Sequence, residues 1–378
     1  GTHGIGSLAG LTYEPDAASQ YYLGYRLDPD RAFDIERGRE LYGSDNGTVV
    51  AGMRRKVDEV LSAYSESNYD LFGERRSLTQ TYGVLYTPDA MWTVDAGLEV
   101  GQVRDDTINP TSSLQYEDMD RYAPSLALSY KDEERGINAR ARGEVRIERS
   151  DEHTRDQNTY LFAGGVSWKT SPDWRLLTHF DAVLSDSRGA QTFADTDYVE
   201  ASVGYAYRPV ENDRLNALFK YTWLYDMPGN NQLISGSTGD LYAPAQRSHI
   251  LSVDANYDLT PWLTVGGKYG FRFGEGRYRS SDQSGTAFEP DWQKSSAHLG
   301  IVRADLHLIK SWDVLLEGRV MHMPEAGTTD YGALAAVYRH VGDNFKVGVG
   351  YNFGRFSDDL RDLTLDDRGV FLNVVGKF

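Results

Sequence analysis

Alternation at a period of two, kept up over ten residues or more and repeated the length of the chain, is the feature that most limits what this sequence can fold into. In INARARGEVRIER, from Ile137, the odd positions Ile137, Ala139, Ala141, Gly143, Val145 and Ile147 are apolar or small. The even positions Asn138, Arg140, Arg142, Glu144, Arg146 and Glu148 are polar, and all but the first are charged. A strand turns successive side chains to opposite faces, so one face here is greasy and the other ionic, and a helical period fits neither set. The pattern returns in DWRLLTHFDAVLSDS, where Trp174, Leu176, Phe180, Ala182 and Leu184 oppose Arg175, His179 and Asp181. It returns again in DRLNALFKYTWLYD and in NFKVGVGYNFGRF. About 19 such segments are predicted, from 4–13 and 18–26 at one end to 330–340, 344–356 and 368–378 at the other.

The connectors alternate in length. YTPDA, KDEERG, KTSPDW, RPVENDR, DLTPW, IKSWD and HVGDN carry the Pro, Gly, Asn and Asp of tight turns. RDDTINPTSSLQYEDMD, DMPGNNQLISGSTGDLYAPAQ, GEGRYRSSDQSGTAFEPD and SDDLRDLTLDDRG are long, polar and mostly acidic. A strict order of short turn and long loop describes an up-and-down meander of hairpins.

Two architectures bury such faces. A soluble β-sandwich uses strands of about 5–6 residues. The segments here run about 10–14 residues, the length a tilted strand needs to cross a bilayer. Aromatic placement separates the two further. Trp92, Trp174, Trp262, Trp312 and Phe345 each follow a short turn, at the same phase of a hairpin, as the girdle at a membrane interface requires. The expected fold is therefore all-β: a transmembrane antiparallel up-and-down β-barrel of about 18–20 strands, with short periplasmic turns and long extracellular loops. Residues 1–378 form a single barrel domain in this reading.

Composition agrees. The chain holds 25 Tyr, 14 Phe, 7 Trp and 38 Gly, and mean hydropathy is −0.52, with no run of 18 apolar residues to make a membrane helix. Cysteine is absent, which removes disulfides and thiolate metal sites. A net charge of −17 argues against a nucleic-acid partner, which needs a basic footprint. The opening GTHGIGSLAG lacks a basic stretch followed by an apolar core, so an export signal is expected to have been removed, or the chain to be the C-terminal part of a longer precursor. Bacterial single-chain barrels have even strand numbers. The odd count predicts a further strand before Gly1 or one hairpin miscounted.

The chain ends in RGVFLNVVGKF, with Val370, Leu372, Val374 and Gly376 in phase with the terminal Phe378. A last strand with a lipid face must be paired within the sheet. This ending resembles the C-terminal signature of bacterial outer-membrane proteins, and the resemblance implies recognition of Val370, Leu372, Val374 and Phe378 by the barrel assembly machinery. Gly376 departs from the aromatic residue often found at its position. Segments such as YYLGYRLDPDR, YVEASVGYAYRPVENDRLNALFKYT, TDYGALAAVYRH and KVGVGYNFGRFSDDLRDLTLDDRGVF resemble the C-terminal barrel region of large Gram-negative outer-membrane proteins. That resemblance covers nearly the whole chain and implies lipid and lipopolysaccharide as its surroundings.

With the greasy face in lipid, the ionic face lines a lumen. Its expected lining is Asp95, Glu99, Arg140, Arg142, Glu144, Arg146, Glu148, Arg175, Asp181, Glu200, Lys220, Asp254, Lys268, Arg272, Arg303, Asp305, Glu317 and Arg319. Arg303 and Asp305 are expected to form a cross-strand ion-pair ladder with Glu317 and Arg319. The loop near 227–246 is the longest and is the expected constriction. Acidic residues gather in two loops, at Glu117, Asp118 and Asp120 and at Asp358, Asp359, Asp362, Asp366 and Asp367. Calcium favours clustered oxygens. The second group lacks a closing glutamate, so a solvated loop is the stronger reading and a calcium site the weaker.

GxxxxGK[ST], HExxH and GxSxG are absent, and the eight His show no metal-ligand spacing. His179 and His307 read as lumen wall. No catalytic residue and no cofactor is expected. The expected function is an outer-membrane channel of the porin kind, passing ions or small polar solutes. The alternative is a barrel that anchors or exports an upstream domain or a separate partner protein in or above the lumen, with little conductance of its own.

Overall fold

A computed structural model of the chain describes residues 7–28, 46–70, 75–105, 117–153, 156–188, 195, 197–227, 234–235, 241–281, 287–309, 311–342, 345–354, 356, 360 and 368–376. Every regular element is a strand, and none is a helix, among the described residues. In chain order they are β1 (Ser7–Asp16), β2 (Ser19–Asp28), β3 (Asn46–Lys56), β4 (Leu61–Asp70), β5 (Arg75–Tyr86), β6 (Trp92–Asp105) and β7 (Met119–Asp132). Next come β8 (Ile137–Ser150), β9 (Asp156–Lys169), β10 (Trp174–Arg188), β11 (Asp197–Tyr207), β12 (Leu215–Met227), β13 (Ile234–Ser235) and β14 (Leu241–Thr260). The last are β15 (Leu263–Ser281), β16 (Ala287–Phe288), β17 (Gln293–Ile309), β18 (Trp312–Met323), β19 (Thr328–Val341), β20 (Phe345–Asn352) and β21 (Gly369–Gly376). β13 and β16 are two-residue pieces beside β14 and β15. The other strands are the predicted segments, paired antiparallel with their sequence neighbours from β1 through to β21.

Alternation decides the two faces. On β8 the charged even positions from Glu144 onward are buried, while the apolar odd positions lie on the other face. The apolar face is broadly exposed, with Leu98, Phe162, Phe219, Leu251, Leu316 and Val349 among its members. Exposed apolar surface on this scale marks a surface meant for something other than water. Here it forms a continuous band around the sheet, as a bilayer requires.

Two predictions about connectors are corrected. Lengths do not alternate strictly, because the connections 71–74, 151–155 and 324–327 on the long-loop side are as brief as turns. Each of the last two has a device that closes it tightly. His153 takes φ 58° and its ring nitrogen meets Asp156 at 3.0 Å, and Gly327 takes φ 63°. Glu325 accepts the Ser296 hydroxyl at 2.6 Å and the Ser296 N–H at 2.9 Å, and these bonds hold its carboxyl below the ordinary range. The second correction concerns 241–246 and 274–281, read as loop but continuing β14 and β15. That hairpin is longer than the ~9–11 residues a crossing needs. Its polar extension is held by the ladder itself and by Trp292, which lies 4.5 Å from the Arg247 guanidinium and 4.6 Å from that of Arg277.

The chain end is tied down as expected, with β21 paired to β20 from Phe345↔Gly376 to Asn352↔Gly369. Phe378 and the side chain of Val374 lie outside the described residues. Val370 and Leu372 are 74% and 73% exposed, on the apolar face. β1 and β21 run in the same direction, as an odd number of full strands dictates, and among the described residues each is paired on one side.

Inside the wall, aromatic rings lie flat over glycines of the adjacent strand. Tyr22 covers Gly52, Tyr64 covers Gly83, and Tyr338 covers Gly348, each pair in direct register. A Cβ added at Gly83 would stand 2.2 Å from Tyr64 Cζ, so only glycine admits the ring there. Tyr22 donates its hydroxyl to Glu66 at 2.6 Å and Tyr64 donates to Asp95 at 2.8 Å. Gly83→Val must displace Tyr64 and break that bond. The expected loss is about 1–3 kcal/mol of barrel stability, seen as a lower urea midpoint of the refolded chain in lipid vesicles. An unchanged midpoint would show that the ring does not need the glycine.

Candidate functional site

The site is the inward face of the wall, and it is built from strand register. All the residues expected to line a lumen fall on the face opposite the exposed apolar band. They are not equivalent, because the structure pairs some of them tightly and leaves others open.

The most enclosed group stands toward the long-loop end of β6, β7 and β8. Arg121, 4% exposed, donates its Nε–H to Glu148 at 2.8 Å, bonds Glu148 again through Nη2, and lies 3.6 Å from Glu99. Two strand positions below, Glu144 is clamped between Arg142 at 2.9 Å and Arg146 at 2.8 Å. Arg121 was missed in the sequence reading, although it sits in phase in MDRYAPSLALSY. Its proximity to the acidic Glu117, Asp118 and Asp120 made it look like loop.

The predicted ladder between β17 and β18 is corrected. Arg303 and Glu317 are indeed in register. Yet Arg303 turns away, bonding Asp254 on β14 through Nη2 and Asn256 through Nε at 3.0 Å. Glu317 is bonded instead by Arg319, two residues along its own strand. Gly266, between Arg303 and Asn256 in the register, leaves the space that the long side chain crosses; a Cβ there would lie 2.6 Å from the Arg303 side chain. Asp305 is half-buried near Arg303, and among the described residues no ion pair joins it to Arg319.

A further cluster surrounds Asp313 at the short-turn end. Its carboxylate is reached by His307 at 2.9 Å, His340 at 2.9 Å and Lys346 at 2.6 Å, and the Lys346 ammonium also stands 4.8 Å above the Tyr338 ring. Among the described residues no group of three or more His, Cys, Asp or Glu could hold a metal ion. The cluster joins four strands, β17 to β20, through the Asp313 carboxylate. Asp313, His340 and Lys346 were not singled out from sequence, since they are brought together from three separate segments.

The expected constriction at 227–246 is only partly described. A different segment is found against the wall. Phe356 and Leu360, between β20 and β21, are both 3% exposed and pack on Ile250, Ala297, Leu299, Ile301 and Met321, which all point inward from β14, β17 and β18. The Arg319 guanidinium also reaches the Phe356 carbonyl, at 3.5 Å. Asp358, Asp359, Asp362, Asp366 and Asp367, the calcium candidates, lie outside the described residues.

Four of the five aromatics take the phase assigned to them. Trp92, Trp174, Trp312 and Phe345 open β6, β10, β18 and β20 on the apolar face, beside a short turn. Trp262 lies in the turn itself, directly before β15, and is exposed. Trp92 packs on Tyr130 with ring centroids 4.7 Å apart, and Trp174 on Tyr205 at 4.6 Å and Tyr207 at 4.7 Å.

An antiparallel wall with a lipid-facing apolar surface, an ionic interior and chain ends built into the sheet defines an outer-membrane β-barrel. Comparison with solved structures supports that class. The chain is similar to a double mutant of the ferric enterobactin receptor PfeA from Pseudomonas aeruginosa, with 10% identity over 98% of this chain and 68% of that one, at a TM-score of 0.52. It is also similar to the copper transporter OprC, with 10% identity over 98% of this chain and 72% of that one, at a TM-score of 0.49. The NanC porin is 13% identical over 62% of this chain and 100% of that one, with a TM-score of 0.31. Identities at this level speak to fold alone. No family model and no curated protein sequence matches the chain. The chain has the fold of a bacterial outer-membrane β-barrel.

Breaking the buried triad tests its role in the wall. Arg121→Leu leaves Glu148 and Glu99 without their cation in a dry site, and a loss of about 3–5 kcal/mol is expected in the urea unfolding of the refolded barrel. Arg121→Leu/Glu148→Leu should recover most of that loss. A double variant as unstable as the single would show that the destabilisation came from packing rather than from unpaired charge.

Proposed function

We propose that the barrel is a passive water-filled channel for ions or small polar solutes across the outer membrane. The observation that carries this reading is the wall itself: strand after strand presents ionised side chains inward, in a sheet too wide for those side chains to fill. Barrels of 16–18 strands leave an aqueous channel. Passive passage needs a lumen of adequate width and a charge pattern along it, and no reacting group.

The inward charges divide into two kinds in this reading. Arg121, Arg146, Arg303 and Arg319 are bonded to carboxylates and brace the wall. Others stand exposed and set the field that a passing ion meets. Phe356 and Leu360 hold their segment on the inner surface and narrow the passage beside β17. Exposed charges act over roughly a Debye length, about 10 Å at 0.1 M salt, so the selectivity they confer weakens as salt rises.

Refolded full-length chain in a planar bilayer is expected to give large stepwise openings with an ohmic current. Phe356→Ala/Leu360→Ala, which loosens the segment from the wall, should raise the unit conductance measurably. A correctly folded barrel, verified by heat-modifiable mobility in SDS gels, that carries no current would overturn the channel reading.

A further inference from the structure

One sector of the inward face differs from the rest. Elsewhere on the wall Arg121, Arg142, Arg146, Arg303, Arg319 and Lys346 each have a carboxylate. On β8 to β12, near the short-turn end, Arg140, Lys169, Arg175 and Lys220 point inward, and among the described residues none of the four side chains has an ion pair or a hydrogen bond.

Register brings them together. Arg140 faces Gly165, which faces His179. Lys169 faces Arg175, which faces Ala206 on β11. Leu177 faces Gly204, which faces Lys220. At strand spacings of about 4.8 Å and a rise of about 3.3 Å per residue, the four cations fall within a patch on the order of 15–20 Å across. The floor between them is Gly165, Ser167, Ser202, Gly204 and Ala206, with Leu177 at its centre. Gly165 cannot be enlarged, since a Cβ there would stand 2.6 Å from the Thr178 carbonyl oxygen. A cavity of about 390 Å³ adjoins the patch at Arg140, with Ser129, Arg142, Glu144, His179 and Asp181 as its other polar lining.

The carboxylates that face the patch are already engaged. Asp181 takes His179 Nε2 at 2.6 Å, and Glu144 is held by Arg142 and Arg146. Glu200 accepts the Tyr198 hydroxyl at 2.7 Å, and Asp254 is bonded by Arg303. At the adjacent turn, Asp132 takes the Tyr130 hydroxyl and the Arg135 N–H. The local balance is positive in a chain whose net charge is −17. Four like charges held near one another repel, and the arrangement is relieved when an anion sits among them.

We propose that this sector is a binding site for small solutes carrying two or more negative charges, with Arg140, Lys169, Arg175 and Lys220 as its cationic contacts. The inference rests on the reading above that the inward face is open to water. Arg142 and His179, each with one carboxylate partner and each exposed, border the site. Spread charges over a shallow floor suit an extended polyanion better than a single compact one, because several groups can be met at once.

The test is calorimetric titration of citrate into refolded full-length chain at low ionic strength, without divalent ions, followed by the same titration at rising salt. Saturable binding that weakens steeply with salt is expected. Arg140→Gln/Lys169→Gln and Arg175→Gln/Lys220→Gln should each weaken it about fivefold, the size that one or two exposed charge pairs confer. A control of equal net charge, Arg188→Gln/Lys294→Gln, should leave it unchanged. Loss of binding in the control as large as in the sector variants, or no saturable binding by the parent chain, would overturn the proposal; either result would mean that citrate meets only the overall charge. Citrate added to a bilayer separates the two readings. Sector-dependent binding in a barrel that carries no current would leave the site standing and remove the channel, whereas current without sector-dependent binding would do the reverse.

Discussion

Inside a bilayer no water is present to satisfy a backbone N–H or C=O, and each unpaired group costs several kcal/mol. The ladder of antiparallel pairing therefore comes before every other feature of this protein. Once neighbouring strands are paired in a given register, each side chain is committed to one face, since a slip of one residue would carry a whole greasy set inward and a whole ionic set into lipid. The aromatic phase, the charged lumen and the tyrosine–glycine stacks are consequences of that commitment. Even the extended β14–β15 hairpin follows from it: pairing begun in the membrane continues past the rim because polar strands gain the same ladder bonds in water.

Pairing constrains the interior differently. Side chains on the inward face are free of lipid but crowded against neighbours two and three strands away, and each long charged group selects its partner by reach. Arg303 passes over Gly266 to Asp254, leaving Glu317 to Arg319. Arg121 sinks between Glu99 and Glu148. Such buried pairs contribute little net stability relative to apolar substitutes, yet breaking one is costly. They make the wall rigid and self-neutralised, and they concentrate whatever charge is left in the places where no partner was supplied. The sector from β8 to β12 is such a place. Among the described residues, four such cations fall together there.

The apolar contact of Phe356 and Leu360 with β14, β17 and β18 shows how a lumen can hold a segment of its own chain. Ile250, Ala297, Leu299, Ile301 and Met321 lie on the ionic face by phase, and alone they would be an exposed greasy patch in water. Covering them removes that cost. The same hydrophobic effect drives core formation elsewhere.

Strand number, strand direction, the two faces, the aromatic positions and the tie-down of the C-terminus were all legible in the sequence, because a period of two is a local property that each segment carries by itself. Residues such as Asp95, Arg140, Arg175 and Glu200 could be placed on the inner face without knowing their neighbours. Tertiary structure decided what depends on several segments at once. Asp313 is met by His307, His340 and Lys346 only after β17 to β20 are in register. Arg303 prefers Asp254 to Glu317 only when Gly266 leaves it a path. Arg140, Lys169, Arg175 and Lys220 become a set only when β8 to β12 are in register. Alternation tells a side chain which way to point, but the identity of its neighbour is set by the stagger between strands and by side-chain length, and neither is written in any one segment.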